Sequence, residues 1–249
     1  MVGRSGVEYA DYTVSVYSPP CPYGCIYCFN RLPKFRHIKL KSSRIQAALR
    51  VAMQPKGVVV VSFLSDPYPP EEYHKGLTRQ VLQILGKSHH TVLVLTKNPT
   101  VALVRDGDLF KKYDMWLGST ITSLQPLPEY EPNAPPNPER IRRLREAHRM
   151  GIKVWISLEP LLRPRQLIRM LKRLSFADFI VIGSLNHSRQ LKLHLDLEQD
   201  YLYYVPRAIV YLESELLFEP GSPPQTNTYL IKQEMWRILS KHIPTVTYR

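Results

Sequence analysis

The apolar residues of the chain alternate between two periodicities along most of the first 183 residues. Short apolar runs rich in β-branched residues predict strands over 13–17, 57–63, 91–95, 115–121, 153–158 and 177–182. Apolar residues spaced by three and four predict intervening helices over 43–53, 73–85, 100–113, 138–150 and 164–174, the first capped by Ser42 or Ser43. Strand–helix units that recur about every 25–35 residues indicate a parallel sheet.

The fold class predicted from this alternation is α/β. Six units are too few for a closed eight-stranded barrel, whereas a partial (βα)6 TIM-type barrel and a doubly wound sheet both fit. In either case function concentrates on the loops that leave the C-terminal ends of the strands. Beyond about residue 184 the pattern becomes irregular, and helical spacing returns over 229–241. We therefore expect a barrel domain over 1–187 and an α-rich extension packed on it over 188–249.

Length and composition narrow the class of protein. The 249 residues are 44% hydrophobic, which is enough to bury a core without disulfide staples. The longest apolar run, at 58–64, is far shorter than the roughly 20 residues of a membrane span, so no membrane partner is expected. No apolar segment typical of a secretory signal occurs in residues 1–13. Three cysteines, an odd number, do not form a disulfide framework, and we expect a cytoplasmic protein.

Charge adds a candidate partner. The chain carries 34 Lys and Arg against 21 Asp and Glu, for a net charge of +13. Residues 12–65 include no acidic residue, and a second basic block lies between 140 and 173. Blocks of this kind attract polyanions, so DNA or RNA is a predicted partner. The second block consists of Arg140, Arg142, Arg143, Arg145, Arg149, Lys153, Arg163, Arg165, Arg169, Lys172 and Arg173.

The three cysteines lie within eight residues, directly after the first predicted strand. They are Cys21, Cys25 and Cys28, and soft thiolates grouped in this way select zinc or an iron–sulfur cluster. A structural zinc site needs four ligands, and His37 is the nearest residue that could supply the fourth. The alternative is a 4Fe–4S cluster held by three thiolates, with its fourth iron open to substrate.

The C-x3-C-x2-C loop after the first strand of a βα series resembles the signature of radical SAM enzymes. Tyr27, just before the last cysteine, also matches, at a position that lies against the adenine in that family. The resemblance implies a 4Fe–4S cluster bound by Cys21, Cys25 and Cys28, with S-adenosylmethionine (SAM) on the open iron. It implies reductive cleavage of SAM to a 5′-deoxyadenosyl radical that abstracts a hydrogen from substrate. Flavodoxin or ferredoxin is the expected kind of reductant.

Further motifs resemble the spore photoproduct lyase-like group, often called DNA repair photolyases. They extend from about 17 to 161 and include 62–71, 78–79, 95–97, 105–106, 119–122, and Glu131-Pro132 before Arg140. This resemblance implies that Ser65, Asp66, Lys97 and Ser119, each near a strand's C-terminal end, contact SAM. An Asp before a proline also initiates turns, which is the structural alternative for Asp66.

Two departures from that group concern the substrate. The hydrogen-donating cysteine of true spore photoproduct lyases is matched by Phe63, and their tyrosine after the last cluster cysteine is matched by Phe29. Neither side chain donates a hydrogen atom. The resemblance therefore implies the radical chemistry of spore photoproduct lyases but not their substrate. Glu159 is the candidate acid, base or substrate contact, with a loop ion pair as the alternative. Other candidates are Ser184, Asn186 and His187, and the tyrosines 201, 203, 204 and 211.

Two rival functions remain open at this stage. The same radical could act on a peptide or a small metabolite instead of nucleic acid. A zinc-bearing nucleic-acid binding protein without catalysis is the rival from another class, and the βα count together with Asp66 and Lys97 argues against it.

Overall fold

The strands form one sheet in which spatial order follows chain order. The computed structural model describes residues 9–39, 43–61, 63–183, 185, 191 and 228–231. Six neighbouring strands pair in parallel, and the seventh pairs antiparallel with the sixth. The strands are β1 Tyr12–Val14, β2 Val58–Val61, β3 Thr91–Leu95, β4 Trp116–Thr120, β5 Lys153–Leu158, β6 Phe179–Gly183 and β7 Thr228–Ile231.

Helices connect the parallel strands. Within the described ranges they are α1 Pro33–Arg36, α2 Arg44–Ala52, α3 Glu72–Lys75, α4 Leu77–Gly86, α5 Pro99–Lys112, α6 Asn137–Arg149 and α7 Leu167–Leu174, with short 3-10 turns at Phe29–Arg31 and Pro164–Gln166. Ser43 caps α2, since its hydroxyl accepts from the Gln46 amide at 3.2 Å. The helix predicted over 73–85 is two helices, because Gly76 takes a left-handed φ of 63° between them. None of the described helices is both long and apolar enough to cross a membrane.

The two faces of the sheet are packed differently. One face is covered by the helices, and Val59, Val61 and Leu117 belong to the apolar cluster formed there. The opposite face, here called the inner face, carries a second cluster of strand residues together with Tyr9 and Ala10. Strand residues alternate between the faces, as the period of two requires. The second cluster contains Val58, Val60, Leu93, Trp116, Trp155, Phe179 and Val181.

The open sheet of six parallel strands with helices confirms the predicted α/β fold. The expectation for the C-terminal extension is wrong in one place. Residues 228–231 form β7, paired with Ile180–Gly183, where the pattern predicted the start of a helix over 229–241. The pairing satisfies the backbone groups along the edge of β6, which outweighs helical periodicity in four residues. The remainder of that helix, and most of 188–249, lies outside the described residues, so the domain boundary stays a prediction.

Candidate active site

The cysteine loop follows β1 and packs into its own apolar cluster. Cys25 is buried and Cys21 and Cys28 are half-buried, all as free thiols. The loop turns through Gly24 at φ 61°, and the Cys28 amide donates to the Cys25 carbonyl at 3.1 Å. The cysteines therefore lie together on one short, tightly turned segment. The cluster also contains Tyr23, Tyr27, Leu127, Leu162 and, at its margin, Tyr130, Ala134 and Leu185.

The protein environment keeps the thiols protonated at neutral pH. Burial raises the pKa of Cys21, Cys25 and Cys28, and the Asp66 carboxylate raises that of Cys21 further. Backbone N–H groups directed at the sulfurs of Cys21 and Cys28, and the charge of Lys97 near Cys25, act in the opposite direction. A metal bound here would have to displace these protons, and binding would release them.

The donor set of the loop fits a group that binds thiolates. It consists of three soft sulfur ligands with N–H donors and one cation close by, which is the chemistry that iron–sulfur clusters and zinc select. Within the part of the chain that the structure describes, no three His, Cys, Asp or Glu side chains are placed so that they could hold a metal ion. His37 lies exposed at the end of α1. The ligand role of the cysteines thus stays a prediction from their type and spacing.

Asp66 joins the loop after β2 to the end of β3. Its Oδ1 accepts from the Tyr68 amide at 2.8 Å and from the Thr96 hydroxyl at 2.6 Å, and its Oδ2 accepts from the Lys97 amide at 2.7 Å. Burial raises the pKa of this carboxyl although the three hydrogen bonds oppose the shift. The bond to Tyr68 is the turn that an Asp before a proline predicts. Asp66 thus places Lys97, and Oδ2 keeps one lone pair for a ligand.

Lys97 links the carboxyl ends of the strands to the cysteine loop. Its ammonium lies 5.4 Å from the centroid of the Tyr27 ring, within the range of a cation–π contact. Burial would lower the pKa of Lys97, but the charges of Cys25, Glu131 and Asp66 raise it above its ordinary value. Lys97 is therefore a fixed cation between the cysteine loop and β3, and its charge would attract the carboxylate of a ligand bound there.

Beneath Tyr27 lies a buried ion pair between Glu131 and Arg140, an arginine that the charge pattern placed in the second basic block. The Tyr27 hydroxyl donates to Glu131, and Glu131 accepts from Arg140 at 2.8 and 3.2 Å. The Arg140 side chain is 0% exposed, and it also donates to the Thr120 carbonyl at 3.0 Å. Asn137 donates to Glu131 at 3.3 Å. This network ties the cysteine loop to β4 and to the start of α6, so Arg140 is a structural cation and not part of a basic surface.

Glu159 lies on the inner face, directly after β5. Its Oε2 accepts from the Ser157 hydroxyl at 3.0 Å and from the Tyr9 hydroxyl at 3.2 Å. A Cβ on Gly183 would stand 2.6 Å from Glu159 Cγ and Oε1, so the glycine makes room for the carboxylate. These two partners are hydroxyls, and both bonds reach the same carboxylate oxygen. Glu159 is thus held at the C-terminal end of the sheet, above the aromatic rings of the inner face.

Three aromatic rings pack against one another on the inner face, next to Glu159. Trp155 stacks on Phe179 with ring centroids 5.2 Å apart and an interplanar angle of 9°, and Tyr9 meets Trp155 edge-on at 5.8 Å. Trp155 also fills the space beside Gly118, where a Cβ would stand 2.3 Å from its ring. The inner face is therefore apolar at depth and polar at its carboxyl edge, which is the usual character of a small-molecule pocket.

The two predicted serine contacts differ in position. Ser65 is buried in the loop beside Asp66. Ser119 lies between Gly118 and Thr120 on β4, and the alternation of that strand places it with Leu117 on the side that the helices cover. Its hydroxyl is fully buried, and no described residue forms a hydrogen bond with it. The SAM contacts of both serines stay predictions.

Phe63 has a strained backbone next to the cysteine loop. Its φ is 101°, a conformation that side chains with a Cβ rarely adopt. The side-chain Nδ2 of Asn30, two residues after Cys28, donates to the carbonyls of Phe63 and Leu64 at 2.8 and 3.0 Å. The segment after β2 is thus tied to the cysteine loop. Ser184, Asn186, His187 and the tyrosines 201, 203, 204 and 211 lie outside the described residues.

Comparison with known proteins gives a fold and a distant relative. No protein-family model matches the chain. An uncharacterized protein of Methanocaldococcus jannaschii is 29% identical over 205 residues, which cover 77% of this chain and 77% of the relative. A spore photoproduct lyase complexed with dinucleoside spore photoproduct has a TM-score of 0.53 at 14% identity, over 98% of this chain and 74% of that chain.

A second solved structure agrees with the first. A spore photoproduct lyase variant with bound AdoMet and dinucleoside spore photoproduct has a TM-score of 0.51 at 14% identity, over 94% of this chain and 72% of that chain. At this level of identity the likeness is one of fold. The chain has an open α/β sheet similar to the radical SAM partial barrel of spore photoproduct lyase.

Proposed function

We propose that the chain is a radical SAM enzyme. The observation that carries the proposal is the single loop after β1 with three free thiols, packed with Tyr27 and beside Lys97, in a fold like that of spore photoproduct lyase. Cys21, Cys25 and Cys28 would hold a 4Fe–4S cluster. The chemistry supplied there would be one-electron reduction of bound SAM, with cleavage of its C5′–S bond to methionine and a 5′-deoxyadenosyl radical that can take a hydrogen atom from substrate. Flavodoxin or ferredoxin is the proposed source of the electron.

The residues around the loop supply binding and orientation. The position of the Lys97 ammonium is fixed at both ends of the residue. Its backbone N–H donates to Asp66, and its ammonium contacts the Tyr27 ring. It is the proposed partner of the SAM carboxylate. Tyr27 is the proposed neighbour of the adenine, and its ring is fixed from below by Glu131. Ser65, Ser119 and the remaining lone pair of Asp66 are the other proposed SAM contacts.

The substrate would enter at the carboxyl edge of the inner face. Glu159 is the proposed substrate contact there, since its carboxylate sits above an apolar floor and accepts hydrogen bonds. A group that donates hydrogen bonds, such as a nucleobase, suits it. DNA or RNA is the proposed substrate class, supported by the basic composition and by neighbours that bind a dinucleoside spore photoproduct. The proposed location is the cytoplasm, because free thiols persist in a reducing compartment.

The test is anaerobic reconstitution with iron and sulfide, followed by dithionite and SAM. The proposal predicts a brown protein with about four irons per chain, as a single 4Fe–4S cluster requires, and formation of 5′-deoxyadenosine. A colourless protein that retains zinc and forms no 5′-deoxyadenosine would contradict it and favour the zinc-bearing binding protein. A substrate screen then compares oligonucleotides with peptides and small metabolites, by accelerated 5′-deoxyadenosine formation.

The role of Glu159 has its own test. Glu159→Gln keeps the size of the side chain and removes the charge, so the loop should fold while substrate turnover falls by about 100-fold or more, as for loss of an acid–base group. The production of 5′-deoxyadenosine without substrate serves as the internal reference. Equal turnover by wild type and variant would assign Glu159 to the structure of the loop alone.

A further inference from the structure

A groove lined by cations separates α6 from α7 on the outside of the sheet. Its volume is about 710 Å³, and among the described residues its lining has five basic side chains and no acidic one. Leu124 and Gln125, from the loop after β4, and Pro138, at the start of α6, also line it. Part of the lining therefore comes from segments that follow the carboxyl end of β4, at the edge of the sheet where the candidate active site lies. Its lining residues are Leu124, Gln125, Pro138, Ile141, Arg142, Arg145, Arg169, Lys172 and Arg173.

The cations of the groove are crowded together. Burial lowers the pKa of Arg145, and the neighbouring charges of Arg173 and Arg149 lower it further. Arg145 is fixed in this position, since its guanidinium stacks 4.8 Å from the Phe176 centroid and donates to the Arg173 carbonyl at 3.1 Å. Like charges held at close range are an unfavourable arrangement that a bound polyanion would relieve.

Other arginines of the second basic block are already paired. Arg140 is buried with Glu131, Arg143 lies 2.8 Å from Glu146, and Arg163 lies 3.6 Å from Glu129. Within the described ranges, the ion pair of Arg142 is a contact of 4.0 Å with Glu146, between side chains that are 61% and 45% exposed. Exposed ion pairs of this length contribute little, so Arg142 stays available to an external anion. Five of the eleven basic residues of the block thus line this one groove.

We propose that this groove binds the phosphate backbone of nucleic acid. Planar guanidinium groups match phosphate oxygens in paired hydrogen bonds, which favours phosphate over single-point anions. Because α6 also carries Arg140 of the network below Tyr27, the groove and the cysteine loop share one helix. The inference rests on the proposed function for its substrate class, and it assigns the groove to holding the strand while a base reaches the inner face.

The experiment compares two double variants of equal charge change. Arg142→Gln/Arg169→Gln removes two groove cations, and Lys87→Gln/Lys111→Gln removes two exposed cations at the C-terminal ends of α4 and α5. Binding of fluorescein-labelled single-stranded DNA, duplex DNA and RNA is followed by anisotropy from 50 to 300 mM salt, with heparin and anionic vesicles as other polyanions.

The groove variant should bind nucleic acid about 10- to 100-fold more weakly at low salt. The slope of log affinity against log salt should become shallower by about two, since each lost phosphate contact removes roughly 0.7–0.9 from it. The control variant should stay within about twofold of wild type. Equal losses in both variants, no loss in the groove variant, or loss of vesicle binding alone would overturn the proposal.

A separate readout distinguishes this inference from the proposed function. Formation of 5′-deoxyadenosine by the wild-type protein without nucleic acid reports on the radical chemistry only. If none forms while groove-dependent binding is intact, the radical SAM proposal fails and the groove remains a nucleic-acid site. If 5′-deoxyadenosine forms and the groove variant binds nucleic acid like wild type, the groove proposal fails alone.

Discussion

The two sides of helix α6 carry the same residue type in opposite situations. On the side facing the sheet, Arg140 is fully buried and bonded to Glu131, with further bonds to backbone carbonyls. On the side facing α7, Arg142 and Arg145 line a groove whose described lining residues include no carboxylate. A buried cation requires a partner in place, whereas an exposed one keeps its charge for an external ligand.

The difference shows what a count of charges leaves out. Arg140 and Arg142 are two residues apart and add equally to the net charge of +13. Only the fold assigns one to the support of the cysteine loop and the other to a surface that attracts polyanions. The division of α6 into a structural side and a binding side can therefore be tested one arginine at a time.

The largest effect on stability is expected at Arg140. Arg140→Met leaves Glu131 buried without its cation and should lower the free energy of unfolding by about 3–5 kcal/mol. Chemical denaturation followed by circular dichroism measures the change. If Arg140→Met costs no more than an exposed substitution such as Arg142→Gln, the buried pair does not hold the loop.

Low pH should reduce the stability that the Glu131–Arg140 pair contributes on the sheet-facing side of α6. Burial alone would raise the pKa of Glu131, but Arg140, Lys97 and the hydrogen bonds from Arg140 and Tyr27 hold it below its ordinary value. A carboxyl whose pKa is lower in the folded state stabilises the fold above its unfolded pKa, and loses that contribution as pH falls through its folded value.

The corresponding measurement compares wild type with Glu131→Gln between pH 6 and pH 3. The difference in their free energies of unfolding should be greatest above about pH 5 and should shrink as the pH falls below about 4.3, the pKa of glutamate in an unfolded chain, towards the lower pKa of folded Glu131. The comparison cancels Asp66 and Asp106, whose pKa values burial raises. A difference that does not change with pH would mean that Glu131 is not the ionised partner.

A smaller effect is expected from the hydroxyl that joins Tyr27 to the pair. Tyr27→Phe removes one hydrogen bond to Glu131 while Arg140 and Asn137 remain, so the loss should be about 0.5–1.5 kcal/mol. Tyr73→Phe is the matched control, because Tyr73 is 47% exposed. Equal costs for the two substitutions would remove Tyr27 from the network.

The smallest effect on folding is expected on the groove side. Arg142→Gln should change the free energy of unfolding by less than about 0.5 kcal/mol, since its ion pair with Glu146 is long and exposed. Thermal unfolding at the same pH and salt measures it. A loss comparable to that of Arg140→Met would erase the distinction between the two sides of α6.

The sequence patterns predicted the framework better than the contacts. The six parallel strands follow from β-branched runs such as Val58–Val61, and the Ser43 cap follows from its position before an apolar helix. The break at Gly76 was missed because apolar spacing continues across it. Strand β7 was missed because it forms against the edge of β6, far away in the chain.

The hydrogen bonds of the site could not be predicted where they join residues that are far apart in the chain. Tyr9 lies 150 residues from Glu159, and Tyr27 lies 104 residues from Glu131, so no local pattern indicates either hydrogen bond. The side of β4 that Ser119 occupies follows from the alternation of Trp116 and Leu117 once the inner face is known. The cysteine spacing, by contrast, is local, and the sequence alone indicates its chemistry.

The amount of 5′-deoxyadenosine formed per chain from SAM and dithionite after reconstitution decides whether the cysteine loop is a radical SAM site. We expect product from wild type and from the Lys87→Gln/Lys111→Gln control, and none from Cys25→Ala, which should also fail to retain iron and sulfide. Equal product from Cys25→Ala and wild type would contradict a radical SAM site on this loop. So would the absence of product from fully reconstituted wild-type protein.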